Sequence, residues 1–411
     1  MLFRKTKIEL FNLTAALFIT SFLINITLIS SYSVYECSGN WNITYSDNRQ
    51  AGKVFLNWVK AFQNDANRCK TNKISSGTSA FSGIGSSYNL ATVDFLKQLE
   101  LGNIYQPSRW WLWANRDNNC TFGKPSFGCF SKPYTYCGHE KSGYDDENWS
   151  NFNLEAANNF SSIPLDICQM AITSKKPYVW ITGQLLHFLL NPRHDVREIV
   201  SKRMSLVYPM NKKHITIGVH IRGGQPDGQR KALQVTDVLK KVDEKVEELK
   251  LTGKIVTQVF MCSDTQETNI ISKEYMTKMY PRNFSYIILP HLNYSVGTEA
   301  EYILRDQITG SKNNNISILI PTDFDIYAEW FTDVEILTHA DVFIGSHSNI
   351  YITVAALRIA RFPERPMRDT GYFDTRYDPP VWMEEGGNPI HGTPIWKNAY
   401  GGFRGGVAFW T

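Results

Sequence analysis

Apolar and polar positions along the second half of the chain alternate between two periods. Residues Ile215-Thr-Ile-Gly-Val-His-Ile-Arg222 form a nearly continuous apolar run that stops at Gly223-Gly224. Such a run predicts a strand buried on both faces, leading into a glycine loop. Beyond it, Val238, Leu239, Val242, Val246 and Leu249 share one helical face, with Thr236 as the expected N-cap and Gly253 as the stop. The rhythm then repeats. Strands are expected over 254–262, 285–289, 317–320 and 341–345. Helices are expected over 267–279, 300–309, 326–338 and 349–360. Strands alternating with helices of this length predict a doubly wound parallel sheet, a Rossmann-like domain.

The first half is less regular. A short amphipathic helix is expected over 51–62, and a second over 88–101 after a small-residue loop carrying Gly83-Ile84-Gly85. An ordinary turn is the simpler role for that loop, and a backbone approach to a ligand phosphate is the alternative. Trp110-Trp-Leu-Trp113 reads as a core strand before it reads as a sugar-stacking surface. Residues 120–137 are rich in Gly, Pro and aromatics, and predict an irregular loop tied by disulfides.

Composition places this fold in a compartment. Arg4, Lys5 and Lys7 precede an apolar run over 8–29, which is near the length that crosses a bilayer. Basic residues before it favour a cytosolic N-terminus and a lumenal remainder. An uncleaved signal anchor is expected, with a cleaved signal peptide as the alternative. Asn-x-Ser/Thr acceptors follow at Asn42, Asn119, Asn148, Asn159, Asn283, Asn293 and Asn315. Six of the seven cysteines (Cys37, Cys69, Cys120, Cys129, Cys137 and Cys168) crowd the N-terminal half, as disulfides of an oxidising compartment do. Cys262 stands apart as a buried free thiol. No Cys or His cluster has zinc spacing. Among 411 residues, 43% are hydrophobic and 20% charged, as in a globular protein. The net charge of +4 comes without a basic stripe and gives no footprint for nucleic acid.

Chemistry gathers at three expected strand ends. His220 and Arg222 lie two apart, so a strand puts them on one side. Ser263-Asp264 and Ser346-His347-Ser348 end two other strands, and the latter group opens a helix whose N-terminus favours anions. In open α/β sheets, ligands bind outside the carboxyl ends of the strands. An arginine fork, small hydroxyls and a helix N-terminus there suit a diphosphate. Asp264 suits a ribose hydroxyl or base edge, and Asp333 a guanine edge. Each has a plainer role: Asp264 as a cap, Asp333 as a solvated carboxylate, Ser346 and Ser348 as N-caps. Gly-x-Gly-x-x-Gly and Gly-Lys-Ser/Thr signatures are missing, which argues against NAD and P-loop nucleotide sites.

Val219-His-Ile-Arg222, Phe260-Met-Cys-Ser-Asp264 and the stretch from Asp333 to Ser348 together resemble the three peptide motifs of the α1,6-fucosyltransferase and protein O-fucosyltransferase superfamily. The resemblance covers about residues 213–360. It implies a GT-B-like two-domain α/β fold with a C-terminal Rossmann-like nucleotide-sugar domain. It also implies inverting transfer of fucose from GDP-fucose to a glycan or glycoprotein acceptor, N-glycan-type first, with no metal and no further cofactor. Arg222 would hold the β-phosphate, with His220 and Gly223 beside it. Ser346, His347 and Ser348 would add contacts, Asp264 would support the donor, and Asp333 would read guanine. The expected segments are 1–31 (tail and anchor), 32–50 (stem), 51–205 (mixed α/β domain), 206–365 (GDP-sugar domain) and 366–411 (a tail packing back). A single-pass type II protein of the Golgi membrane is implied, with another secretory lumen as the alternative.

Departures from the family pattern lie in the first motif. Gly223, Gly224 and Gln225-Pro226 stand where core fucosyltransferases carry a second arginine directly after the first and an acid and a lysine shortly beyond, and Arg230 falls where their glutamate base aligns. Asp227 is the substitute base nearby. The departures leave two alternatives open: a transferase for another nucleotide sugar, or a non-catalytic lumenal glycan-binding protein.

Overall fold

The computed structural model describes residues 48–70, 74–76, 84–100, 102–106, 130–131, 134–135, 137, 177–209, 214–222, 233–263, 272, 274, 284–290, 323–362, 369–374 and 380–384. The expected anchor, the expected stem apart from 48–50, the Asn-x-Ser/Thr acceptors, Trp110–Trp113, and the strand expected over 317–320 lie outside them. So do the helices expected over 267–279 and 300–309, apart from 272 and 274. Among the described residues, no helix is long and apolar enough to cross a membrane.

The N-terminal half supplies α1 (Asn48–Gln63), α2 (Ala66–Lys70), β1 (Ile74–Ser76), α3 (Ile84–Glu100), β2 (Ile104–Gln106), α4 (Pro177–Leu189) and α5 (His194–Val207). β1 and β2 pair in parallel. Gly85, expected in a loop, lies in the first turn of α3. Cys69 and Cys137 are joined, with Cα atoms 5.1 Å apart, and Cys262 is free and buried. The other four cysteines of the N-terminal set fall outside the described residues.

The C-terminal half builds the main sheet. Its elements are β3 (Thr216–Ile221), α6 (Val235–Leu251), β4 (Gln258–Ser263), β5 (Ser285–Ile287), α7 (Asp323–His339), β6 (Val342–Ser346), α8 (Asn349–Arg361), β7 (Thr370–Asp374) and β8 (Val381–Glu384). The six strands run in the order β5-β4-β3-β6-β7-β8, all parallel except the antiparallel edge strand β8. β7 and β8 come from residues expected only to pack back as a tail. Thr236 does not cap α6: the N-cap is Gln234, and it makes no side-chain cap bond. The stop is as expected, with Gly253 in the left-handed region at φ 74°.

Alternation along β3 sorts its side chains between two cores. Ile217, Val219 and Ile221 join Val238, Leu239, Val242 and Leu249 of α6 on one face. The other face meets α7, where a Cβ at Gly218 would lie 2.9 Å from Ala340 and 3.0 Å from Leu337. That second core runs without a break from the sheet through α7 and α8 to Phe55, Tyr88, Phe95, Leu185 and Leu189 of the N-terminal helices. Gly183 of α4 lets its helix ride directly on the carbonyl oxygen of Ala356 in α8, a site that any larger side chain would block.

Titratable groups, mostly half-buried, also join these layers. Arg361 of α8 holds Glu335 of α7 through two bonds of 2.9 and 2.7 Å. Burial raises the Glu335 pKa, but the charge and hydrogen bonds of Arg361 outweigh it, and the net direction is down. His187 of α4 is lowered to about 3, by burial first and by Arg361 second. His220 of β3 is also lowered to about 3, by burial and then by Arg222.

These two histidines predict an acid sensitivity with a definite sign. The unfolded chain protonates them near their ordinary pKa of about 6.5, whereas the folded chain keeps them neutral down to about 3. Stability is therefore full above about pH 6.5 and falls as pH drops from there toward about 3, by about 1.4 kcal/mol per unit for each histidine. Between pH 7 and pH 5 each costs about 2 kcal/mol. Urea midpoints measured across that range should fall, and His187→Gln should reduce the slope by about half. An unchanged slope in that variant would remove His187 from the account.

Candidate functional site

The strand order has one reversal. From β3 the chain builds outward through β4 and β5, then returns to the other side of β3 and builds outward through β6, β7 and β8. The crevice between the carboxyl ends of β3 and β6 is thus a topological switch point, the place where ligands bind in open α/β sheets. Arg222 follows the last residue of β3, and Ser346 is the last residue of β6. They meet across this crevice: the backbone N–H of Arg222 donates to Ser346 Oγ at 2.9 Å. Ser346 is buried and Arg222 half-buried at the rim.

Ser348 has two roles. It is the N-cap of α8, its Oγ accepting the backbone N–H of Tyr351 at 3.1 Å. The same Oγ lies 3.5 Å from His220 Nδ1. The plainer expectation for Ser348 is therefore met, and the residue still faces the crevice. The cap leaves the first backbone N–H groups of α8, with its positive dipole end, beside the strand ends.

His220 is 2% exposed, and its Nε2 is buried without a hydrogen-bond partner. The burial that lowers its pKa to about 3 keeps the ring neutral at physiological pH. A neutral imidazole has one donor and one acceptor nitrogen. The contact of Nδ1 with Ser348 Oγ fits either tautomer, so Nε2 is a donor in one and an acceptor in the other. A buried polar nitrogen left over in this way is a group prepared for a ligand.

Gly345 shapes the same edge, since a Cβ there would lie 3.2 Å from Phe343 and closer still to the Tyr351 ring. His347 is held through its backbone N–H, which donates to Phe373 O at 3.0 Å on β7. Ser263, the buried last residue of β4, pairs in register with Ile221. Asp264, Gly223 and Asp227 lie outside the described residues.

Asp333 sits on α7 and is half-buried. Leu337 of that helix packs opposite Gly218. Asp333 lies one helical turn before Leu337.

Residues of the N-terminal half reach the same corner. A Cβ on Gly85 of α3 would lie 3.1 Å from the Cβ of Asn349, the first residue of α8, and 3.6 Å from the Trp330 ring of α7. Trp330 stacks flat on Tyr88 of α3, with centroids 5.4 Å apart. Asn89 bonds Asn349 at 3.4 and 3.5 Å. Sequence patterns marked the glycines here but not Asn89, Trp330 or Asn349, since neither an asparagine in a helix nor a tryptophan on an apolar face stands out from its neighbours. Among the described residues, no cluster of His, Cys, Asp or Glu could hold a metal ion.

No protein-family model matches the sequence, and no curated protein matches it. Solved structures similar to it include two fucosyltransferases. One is a crystal structure of the α-1,6-fucosyltransferase NodZ soaked with GDP-fucose, with a TM-score of 0.40 and 12% sequence identity over 76% of this chain and 98% of that one. Another is a mutant of Arabidopsis thaliana FUT1 in complex with GDP, with a TM-score of 0.39 and 12% identity over 89% of each chain.

Proposed function

We propose that this protein is an inverting glycosyltransferase that moves fucose from GDP-fucose to a glycan acceptor, N-glycan-type first. The observation that carries the proposal is the Arg222–Ser346 bond across the switch point, with the capped N-terminus of α8 and the spare nitrogen of His220 beside it. This set supplies a cation and several neutral donors at one crevice, as a nucleotide diphosphate requires. Guanine and fucose are supported by the sequence resemblance of the three motifs, in which Asp333 suits the base. The same resemblance supports a two-domain GT-B arrangement, and the N-terminal apolar run supports a type II anchor in the Golgi membrane.

In the proposed reaction an acceptor hydroxyl oxygen attacks the anomeric carbon from the face opposite the diphosphate. The bond between that carbon and the β-phosphate oxygen breaks as the new bond forms, which inverts the centre. The hydroxyl proton passes to a base, for which Asp227 is the proposed residue. Negative charge grows on the departing GDP, and Arg222 is placed to hold it. Preorganised charge at such a point is the largest part of catalysis of this kind, with no metal assigned to the step.

The test offers the purified full-length chain a panel of GDP- and UDP-sugars with a mixed glycan pool. Glycan-dependent release of GDP from GDP-fucose alone is the expected result. Turnover with a different donor would discard fucose. Arg230, where the family's base aligns, favours a second reading as a non-catalytic glycan-binding protein. That reading requires no turnover with any donor and no GDP binding by calorimetry.

A further inference from the structure

The first turn of α8 is held from outside the sheet by a helix that the sequence motifs do not include. Asn89 of α3 is 7% exposed. Its Nδ2 donates toward Asn349 O and Oδ1 at 3.4 and 3.5 Å. Its Oδ1 accepts from Thr353 Oγ1 at 3.2 Å, and that hydroxyl also reaches Asn349 O at 2.9 Å. One carboxamide thus uses both its ends to grip the opening turn of α8, 260 residues away. Gly85, one turn earlier on α3, permits the approach.

Asn349 follows Ser348 directly, so it stands beside the His220 contact. An asparagine side chain has one acceptor and two donor hydrogens. Because Asn89 points its donor at Asn349 Oδ1, the Asn349 NH2 group is turned the other way. We propose that Asn89 is a positioning residue of the nucleotide site: it fixes the Asn349 carboxamide so that its NH2 group adds to the donors that receive a nucleoside diphosphate. The proposal rests on the function assigned above. It makes the N-terminal half part of the donor site through α3, before any acceptor is bound.

A double-mutant cycle on the full chain separates this role from simple support. GDP affinity is measured by calorimetry, and thermal midpoints are measured in parallel, for the wild type, Asn89→Ala, Asn349→Ala and the double variant. Asn89→Ala should weaken GDP about five- to ten-fold when Asn349 is present and less than two-fold when Asn349 is already alanine, a coupling of the size that contacting residues show. Asn89→Asp, which keeps the acceptor for Thr353 but loses the donor to Asn349, should weaken GDP as Asn89→Ala does. It also serves if the alanine variant does not fold. Equal effects of Asn89→Ala in both backgrounds, or unchanged GDP affinity, overturn the positioning role while the functional assignment stands. Failure of the wild type to bind GDP overturns both.

Discussion

Arg222→Ala is expected to cut transfer severely while the protein stays folded. The residue follows the last registered pair of β3, Ile221 with Ser263, so no ladder position is lost. Its side chain is half-buried at the rim, and the bond to Ser346 Oγ comes from the backbone N–H, which alanine keeps. What goes is the guanidinium that would meet the growing charge on GDP. Removal of one such preorganised group costs about 10²–10³-fold in turnover where the donor is neutral, and a full charge should lie at the upper end. The expected fall in kcat/KM is about 10³-fold, roughly 4 kcal/mol of transition-state stabilisation. Arg222→Lys restores charge but not the planar fork, and should recover only part of it. Wild-type turnover by Arg222→Ala, with an unchanged thermal midpoint, would place the diphosphate elsewhere.

The largest effect on stability is expected at Arg358. This side chain of α8 is 3% exposed and works as a hub. Its guanidinium donates to Leu337 O and Thr338 O at 3.3 Å and to Ala340 O, at the end of α7. It reaches Asp341 O at 3.0 Å, Asp369 O at 3.4 Å and Thr370 Oγ1 at 2.9 Å, at the starts of β6 and β7. The last carbonyls of a helix have no partner within it, and a cation there also suits the dipole. Arg358→Met keeps much of the volume and leaves these carbonyls buried without their donor. The loss should be on the order of 3–5 kcal/mol, a large part of the roughly 5–15 kcal/mol that holds a domain folded. Arg358→Lys should recover little, because one ammonium cannot fan across six acceptors. Urea unfolding of both variants decides the point, and a loss below about 1 kcal/mol for Arg358→Met would show that water replaces the hub.

Local pattern was enough for four elements of the C-terminal half. The apolar run ending at Arg222 became β3, and the periodic stretch stopped by Gly253 became α6. The expected helix over 326–338 runs from Asp323 to His339, and that over 349–360 from Asn349 to Arg361. The side-chain periods of 3.6 and 2 are properties of consecutive residues, so a linear sequence displays them. Half of the candidate site was legible for the same reason: His220 and Arg222, and Ser346 and Ser348, lie at strand ends that the pattern locates. Three features were decided by long-range neighbours. Residues 370–374 and 381–384 are strands because β6 offers an edge to pair with, and a short segment rich in Gly and aromatics carries no period of its own. Ile84 and Gly85 are helical because α3 starts against α8 rather than in solvent. The order of strands, which makes the crevice between β3 and β6 a switch point, and the meeting of Asn89 with Asn349 depend on which elements become neighbours. That choice follows from the burial of whole faces in a shared core, a quantity summed over the folded chain that no local stretch contains.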